Sequence, residues 1–255
     1  MNKEFIHSIS SAVASKEAFF TVNFGPKQIK IFFTEEACDW VWNYKYLQRP
    51  QALQIKSQLN SPLKINRIGL INYFYNFIMT DISILNSYIS LTIKSVLDIG
   101  AGIGLFDLFL NQILDHEALF DLVEVDKLEE IEHVTNNPEH TKKLDHNVQI
   151  KPVAVLKKLM ITNNAHNINI IDSKSINQHL QKRYDLILSF RSWGYLYDLD
   201  LYQRFVRKTL KPDGIVITDL SIYDDSIEKF SSLFNDVVLI DEAPNNKRFL
   251  GKNLK

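Results

Sequence analysis

At 255 residues the chain is long enough for one large domain, or for a domain with a small appendage. Its 45% hydrophobic and 23% charged residues are ordinary for a globular protein, and a net charge of -1 excludes a global field drawing it to nucleic acid or an anionic membrane. A single cysteine, Cys38, excludes an intrachain disulfide and suits a reducing compartment; beside Trp40 it reads as a small buried residue rather than a nucleophile. The first twenty residues lack the continuous apolar core of a signal peptide. The longest apolar stretch, residues 68–93, is broken by Asn72, Asn76, Asp81 and Asn86, so no membrane span is expected and the protein reads as cytoplasmic.

In chain order, AFFTVNF (18–24) and KQIKIFF (27–33) flank Gly25-Pro26 and predict a β-hairpin. Thr34 can cap a helix beginning EEACDWVWNYKYL. Residues 65–79 and 81–91 predict two helices rich in aromatics and poor in charge. From Lys94 onward, strand and helix alternate. SVLDIG, FDLVEVD, NINIID, YDLILSF, GIVITDL and DVVLI read as strands, with KRFLGK as a seventh. GLFDLFLNQIL, VAVLKKLMI, INQHLQKR, LYQRFVRKTL and SIEKFSSLF read as the helices between them. This is the pattern of an α/β fold with a doubly wound, mostly parallel seven-stranded sheet. Residues 1–92 would form an α+β lid or cap segment, and residues 93–255 the main domain. The N-terminal segment could roof a pocket, form a homodimer interface, or both.

Ligands of such sheets bind at the carboxyl ends of the strands, so each strand end carries information. The first ends in Asp98-Ile99-Gly100-Ala101-Gly102-Ile103-Gly104, and three of only eight glycines fall within five residues there. Glycines let the backbone turn sharply and approach a ligand closely. A dinucleotide pyrophosphate would be repelled by Asp98, whereas a ligand carrying an ammonium would welcome it. The second strand is expected to end at Asp126, with Glu124 on the same face; an acid there suits a ribose diol. The third ends at Asp172-Ser173, where a short acid can receive an exocyclic amine. His133, His140 and His146 fall between the second and third strands at no standard ligand spacing, and they read as part of a solvated loop with no metal.

SVLDIGAGIG resembles motif I of the class I S-adenosylmethionine-dependent methyltransferases. VEVD, NIID, YDLILSF and LKPDGIVITD are similar to the elements that follow it in those enzymes, and the resemblance spans about residues 94–255. It implies a Rossmann-like methyltransferase fold with S-adenosyl-L-methionine as cofactor. Gly100, Ala101, Gly102 and Gly104 would border its methionine part, and Asp98 would lie near its amino group. Glu124 and Asp126 would serve the ribose, Asp172 and Ser173 the adenine, with Ser189 at the tip of the fourth strand. The gap from Asp126 to Asp172 is longer than the family's usual one.

The acceptor is expected beyond the fourth strand, at SFRSWGYLYD (189–198). The Asn/Asp-Pro-Pro-aromatic motif of the family's adenine- and glutamine-methylating enzymes is absent from this stretch. The stretch instead resembles the S-x-x-S-W-G-aromatic-x-Tyr pattern of sugar O-methyltransferases of bacterial surface-polysaccharide biosynthesis, with Leu196 where those often have His. That resemblance implies a sugar or sugar-linked small molecule as acceptor. Arg191, Trp193, Tyr195 and Tyr197 are the candidate acceptor contacts, since aromatic faces stack on sugar rings and arginine pairs with anions. Asp219, at the tip of the fifth strand, is a candidate base, with Tyr195, Arg191 and His7 as further candidates for the chemistry. A protein or lipid-linked acceptor, and a catalytically silent partner-binding module, are the alternatives.

Overall fold

The computed structural model describes residues 19–24, 27–32, 67–124, 152–243 and 246–255. Strands β1 (Phe19–Phe24) and β2 (Lys27–Phe32) pair antiparallel with Phe24 opposite Lys27, the hairpin expected from the sequence. The Gly25-Pro26 turn, the helix expected after Thr34, and His7 lie outside the described residues, as do Asp126 and the three histidines of the long connection. Where two helices were expected, one helix runs unbroken, α1 (Arg67–Leu85). Thr80, expected between the two, donates its hydroxyl to the Asn76 carbonyl at 3.0 Å and so stays within the helix. Tyr75, Ile78, Ile82 and Leu85 recur at helical spacing and are buried. The helix closes when the Tyr88 N–H bonds the Leu85 carbonyl at 2.8 Å, and the residues beyond form turns.

The remaining strands form one sheet of seven. They are β3 (Ser95–Ile99), β4 (Leu119–Glu124), β5 (Ile168–Asp172), β6 (Tyr184–Ser189), β7 (Leu210–Ser221), β8 (Phe234–Ala243) and β9 (Asn246–Leu254). Their order is β5-β4-β3-β6-β7-β9-β8. The first five are parallel, while β9 runs antiparallel to both of its neighbours. Among the described residues four helices accompany this sheet: α2 (Leu105–Ile113), α3 (Pro152–Thr162), α4 (Asp200–Thr209) and α5 (Ser226–Leu233). The helix expected at INQHLQKR is instead a 3-10 segment over Ser173–His179, started by Asp172, whose carboxylate accepts from the Lys174 N–H at 2.9 Å. Strand building moves outward from β3 to β5, then restarts on the other side of β3 with β6. The topological switch therefore falls between β3 and β6, and a crevice opens above their carboxyl ends.

Strand alternation divides the core in two. Val96, Leu186, Leu188, Ile215 and Ile217 pack with α1, α2, α3 and the hairpin. Leu97, Ile99, Ile187 and Val216 pack with the 3-10 segment, α4 and α5. The described N-terminal elements thus share the core of one sheet face. Phe24 meets Phe109 edge-on at 5.1 Å, Lys27 pairs with Asp115 at 3.0 Å, and Asn163 bonds both the N–H and the carbonyl of Lys30. Asp115 and Asn163 follow the C-terminal ends of α2 and α3. The hairpin therefore stands at the foot of these helices, away from the glycine turn that begins α2. It buttresses the fold and does not roof the crevice.

Gly104 shows how tightly α3 is fitted against this turn. Its φ is 71°, and a Cβ placed on it would lie 2.1 Å from Leu156 Cδ1 and 2.7 Å from Met160 Cε. We expect Gly104→Ala to lower stability by about 1–3 kcal/mol, measured by urea unfolding; an unchanged midpoint would show that α3 does not press on the turn.

Candidate active site

The turn after β3 is pinned to β4. Gly100 and Ala101 donate to the Val123 carbonyl at 2.8 and 3.2 Å, and the Gly102 N–H donates to the Glu124 carboxylate. Gly100 has φ 82°, and a Cβ there would lie 2.0 Å from Ser192 Oγ. Gly100 and Gly104 are therefore required by neighbouring protein atoms, beyond any need for a ligand to approach. β4 is described as far as Glu124; Asp126, expected at its tip, lies outside the described residues. Glu124 stands about twenty residues past the turn, the usual spacing of a ribose-binding acid in such folds.

Asp98 points from β3 toward α2, on the face of Val96. There it meets Asp107, one turn into α2. Both side chains are buried, at 4% and 0% exposure, and their carboxyl groups face each other within reach of a shared proton. Among the described residues no donor reaches Asp98 Oδ1 or either oxygen of Asp107. Burial pushes Asp98 well above the carboxylate range, and the charges of Asp107 and Glu124 push it further. Burial also raises Asp107, to about 7, against the lowering effect of its hydrogen bonds. Two carboxyls this close, without a cation, keep a proton between them.

Asp172 and Ser173 sit at the tip of β5, beside β4. The Ser173 side chain hydrogen-bonds Tyr202 of α4, whose phenol is pushed up to about 12 by burial and by the Glu124 and Asp172 charges. Burial and Glu124 likewise push Tyr197 upward. Glu124, Asp172 and Ser173 thus form one acidic edge above β4 and β5, backed by the buried Tyr197 and Tyr202.

The loop after β6 differs from its expectation. Trp193 is fully buried; its indole N–H donates to the Leu199 carbonyl at 2.8 Å and its backbone N–H to Ser189 Oγ at 2.8 Å. Ser189 in turn donates to the Ile99 carbonyl at 2.8 Å, so its hydroxyl staples β3 to this loop and does not face a cofactor. The Ser192 carbonyl accepts from the N–H groups of Tyr195, Leu196 and Tyr197, and Gly194, at φ 89°, turns the chain back. Tyr195 and Tyr197 are buried at 4% and 6% exposure. These three aromatics pack the loop and offer no open face for an acceptor ring.

Arg191, at φ 54°, is also buried. It joins Asp81 of α1, Asp219 of β7 and Arg248 of β9 in a cluster of two cations and two anions. Arg248 donates to Asp219 through Nε at 2.7 Å and Nη2 at 3.1 Å, and to Asp81 through Nη1 at 2.6 Å. Arg191 stands 3.8 Å from Asp81 and 4.0 Å from Asp219. Each guanidinium also covers a ring: Arg191 lies 3.8 Å from the centroid of Phe77, and Arg248 lies 4.0 Å from that of Phe190. Burial pushes Asp219 upward, but the charges and hydrogen bonds of the two arginines outweigh it and hold the carboxyl below its ordinary range. At Asp81 burial prevails, and its proton affinity rises. Asp219 is therefore an anchored carboxylate with weak affinity for a proton, which corrects the expectation of a general base. Arg191 braces the loop against α1 and β7.

Asp107, Arg248, Asp81 and Tyr202 were not singled out in the sequence. Asp107 had a visible signal, a lone acid among Leu105, Phe106, Leu108 and Phe109, and so did Arg248 inside KRFLGK. Among the described residues no three His, Cys, Asp or Glu side chains converge as a metal would require, and no described helix is long and apolar enough to cross a membrane.

A family described as a methyltransferase domain matches residues 76–240, well over half of the chain. No curated protein matches. Among solved structures the chain is similar to the precorrin-6y C5,15-methyltransferase of Geobacter metallireducens, at 13% identity and TM-score 0.45 over 68% of this chain and 86% of that one. It is similar to the O-methyltransferase segment of StiE at 17% identity and TM-score 0.47, over 69% and 73%. Human methyltransferase-like protein 13, in complex with S-adenosylhomocysteine, gives 16% identity and TM-score 0.46 over 70% and 81%.

Removing one member of the buried cluster strands the others. We expect Arg248→Met to cost about 3–5 kcal/mol, because Asp219 and Asp81 would be left buried with one loosely placed cation. Adding Asp219→Leu should recover part of the loss. If urea unfolding gives the two variants additive costs, the cluster does not act as a unit.

Proposed function

We infer the reaction from one premise: the chain belongs to the methyltransferase family, with the class I fold, and S-adenosylmethionine is its cofactor. The residues above the switch point suit that cofactor. Asp98 offers a buried carboxyl oxygen without a donor beside the glycine turn, which fits the ammonium of the methionine part. Glu124, at the tip of β4, would take the ribose hydroxyls, and Asp172 with Ser173 would take the adenine amine. Asp126 lies outside the described residues and is a second ribose candidate. The donor-free carboxyl of Asp98 is the observation that carries this assignment.

When bound, the cofactor supplies a methyl group already activated by its sulfonium. The chain then has to hold the acceptor in line and keep water out. We propose O-methylation of a sugar or sugar-linked small molecule. The net charge of -1, and the pairing of Arg191 and Arg248 with buried acids, favour a small acceptor over nucleic acid. With Trp193, Tyr195 and Tyr197 in the core, acceptor stacking would fall to Tyr223, which is 56% exposed just past β7. In this reading α1 walls the acceptor side, and Arg191 keeps that wall in place without touching the acceptor.

Two measurements check the proposal. Glu124→Ala should weaken S-adenosylhomocysteine binding about 10- to 100-fold by titration calorimetry, as expected when a charged hydrogen-bond acceptor is removed. An unchanged affinity would place the ribose elsewhere. Incubation with labelled cofactor and separate pools of sugar, lipid-linked and protein acceptors, followed by mass spectrometry, should place the label on an oxygen of a sugar-type product. Label in the protein pool alone would overturn the acceptor class.

A further inference from the structure

Asp107 is not needed to build the turn, and its place in the helix has a cost. A buried acid between Phe106 and Leu108 loses its hydration and gains no cation in return. The charges bearing on Asp98 come from Asp107 of α2 and Glu124 of β4, and all are acidic. Around the pair, β6 sets Leu188 and β4 sets Leu122 opposite Asp98, α3 brings Leu156 and Met160 to the turn, and α1 sets Tyr75 against Phe109. Among these described neighbours no lysine, arginine or histidine faces the pair, so of the described groups none supplies the positive charge that a shared proton would.

We propose that Asp98 and Asp107 hold one shared proton in the cofactor-free protein and release it to solvent when the cofactor's ammonium arrives, so that cofactor binding is coupled to loss of one proton. The proposal rests on the cofactor assignment above and adds Asp107 as a positioning residue that acts through Asp98. The balance is simple: the ammonium keeps its own protons, the pair loses one, and a net negative charge then faces the new cation. Because the cation prefers the deprotonated pair, affinity rises with pH while the free pair is protonated, about tenfold per unit, and levels off once it is not. The 3.8-to-7 rise at Asp107 supports this window. The sign for the free protein is opposite. A group whose folded pKa is raised contributes stability that is complete below the unfolded carboxyl range and is lost as pH climbs through about 7.

The test is calorimetric titration of S-adenosylhomocysteine into the full chain at about pH 6.5, in phosphate and in Bis-Tris. These buffers differ in ionisation enthalpy, so the difference in heat counts the protons released. The wild type should release about one. Asp107→Asn provides a permanent N–H to Asp98 in place of the shared proton, and it should release close to none, with an affinity that no longer climbs with pH. Equal release from both proteins, or none from the wild type despite binding, would overturn the proposal; in the latter case a retained proton would be donating to the ligand's carboxylate. Absence of binding altogether would instead strike the cofactor assignment, and the proposal with it. Thermal melting without ligand gives a second measurement. The wild type should lose stability between about pH 5 and pH 8, and the Asp107→Asn protein should lose less; identical slopes would also overturn the proposal.

Discussion

Four buried charges tie α1 to the loop after β6 and to the far strands of the sheet. Arg248 binds Asp219 from the neighbouring strand and Asp81 from α1, while Arg191 closes the set from the loop after β6. Burial of any one of these groups alone would be prohibitive, and the arrangement is tolerable because each carboxylate meets two guanidiniums. The consequence is positional. α1 precedes the glycine turn in sequence, yet it is fixed to the far half of the sheet, across the switch point. The loop bearing Arg191 is fixed to the same place, although its φ of 54° carries a backbone cost for a residue with a side chain.

The cofactor side follows the opposite principle. Asp98, Asp107 and Glu124 gather around the turn, and the charges that bear on Asp98 there are acidic. On one half of the crevice charges are matched and stiff. On the other they are of one sign and incomplete until a cation arrives. A site that binds a cationic cofactor gains from this imbalance, because the gathered acids attract a positive charge, be it a proton or the ligand's ammonium.

Local patterns revealed much of the fold. Strand-helix alternation from Lys94, the clustered glycines and the acids at strand tips depend on residues close in sequence, and periodicity exposes them. The pairing of Glu124 with Asp172 brings the described end of β4 beside that of β5, so the two acids that the alternation placed near strand ends do meet at one edge of the sheet. The aromatic loop was misread. After a polar strand end, Trp193 and the tyrosines look like surface residues, and only the left-handed turn at Gly194 carries them back inside. The arginine cluster was hidden by distance, since Arg248 and Asp81 are 167 residues apart. Asp107 was legible as an anomaly but not as a partner, because nothing local says that a helix residue faces Asp98.

The contact between Gly100 and Ser192 joins the two halves. The Ser192 side chain occupies the space that a Cβ on Gly100 would need, so the glycine turn and the loop after β6 interlock at van der Waals range. For the evolution of substrate choice this interlock is a constraint. A lineage that reshapes residues 190–197 to admit a new acceptor also moves the wall of its cofactor turn. Diversification of acceptors is then easier through residues that do not touch the turn, such as the exposed Ile222 and Tyr223 beyond β7, than through the loop whose sequence looks most specialised.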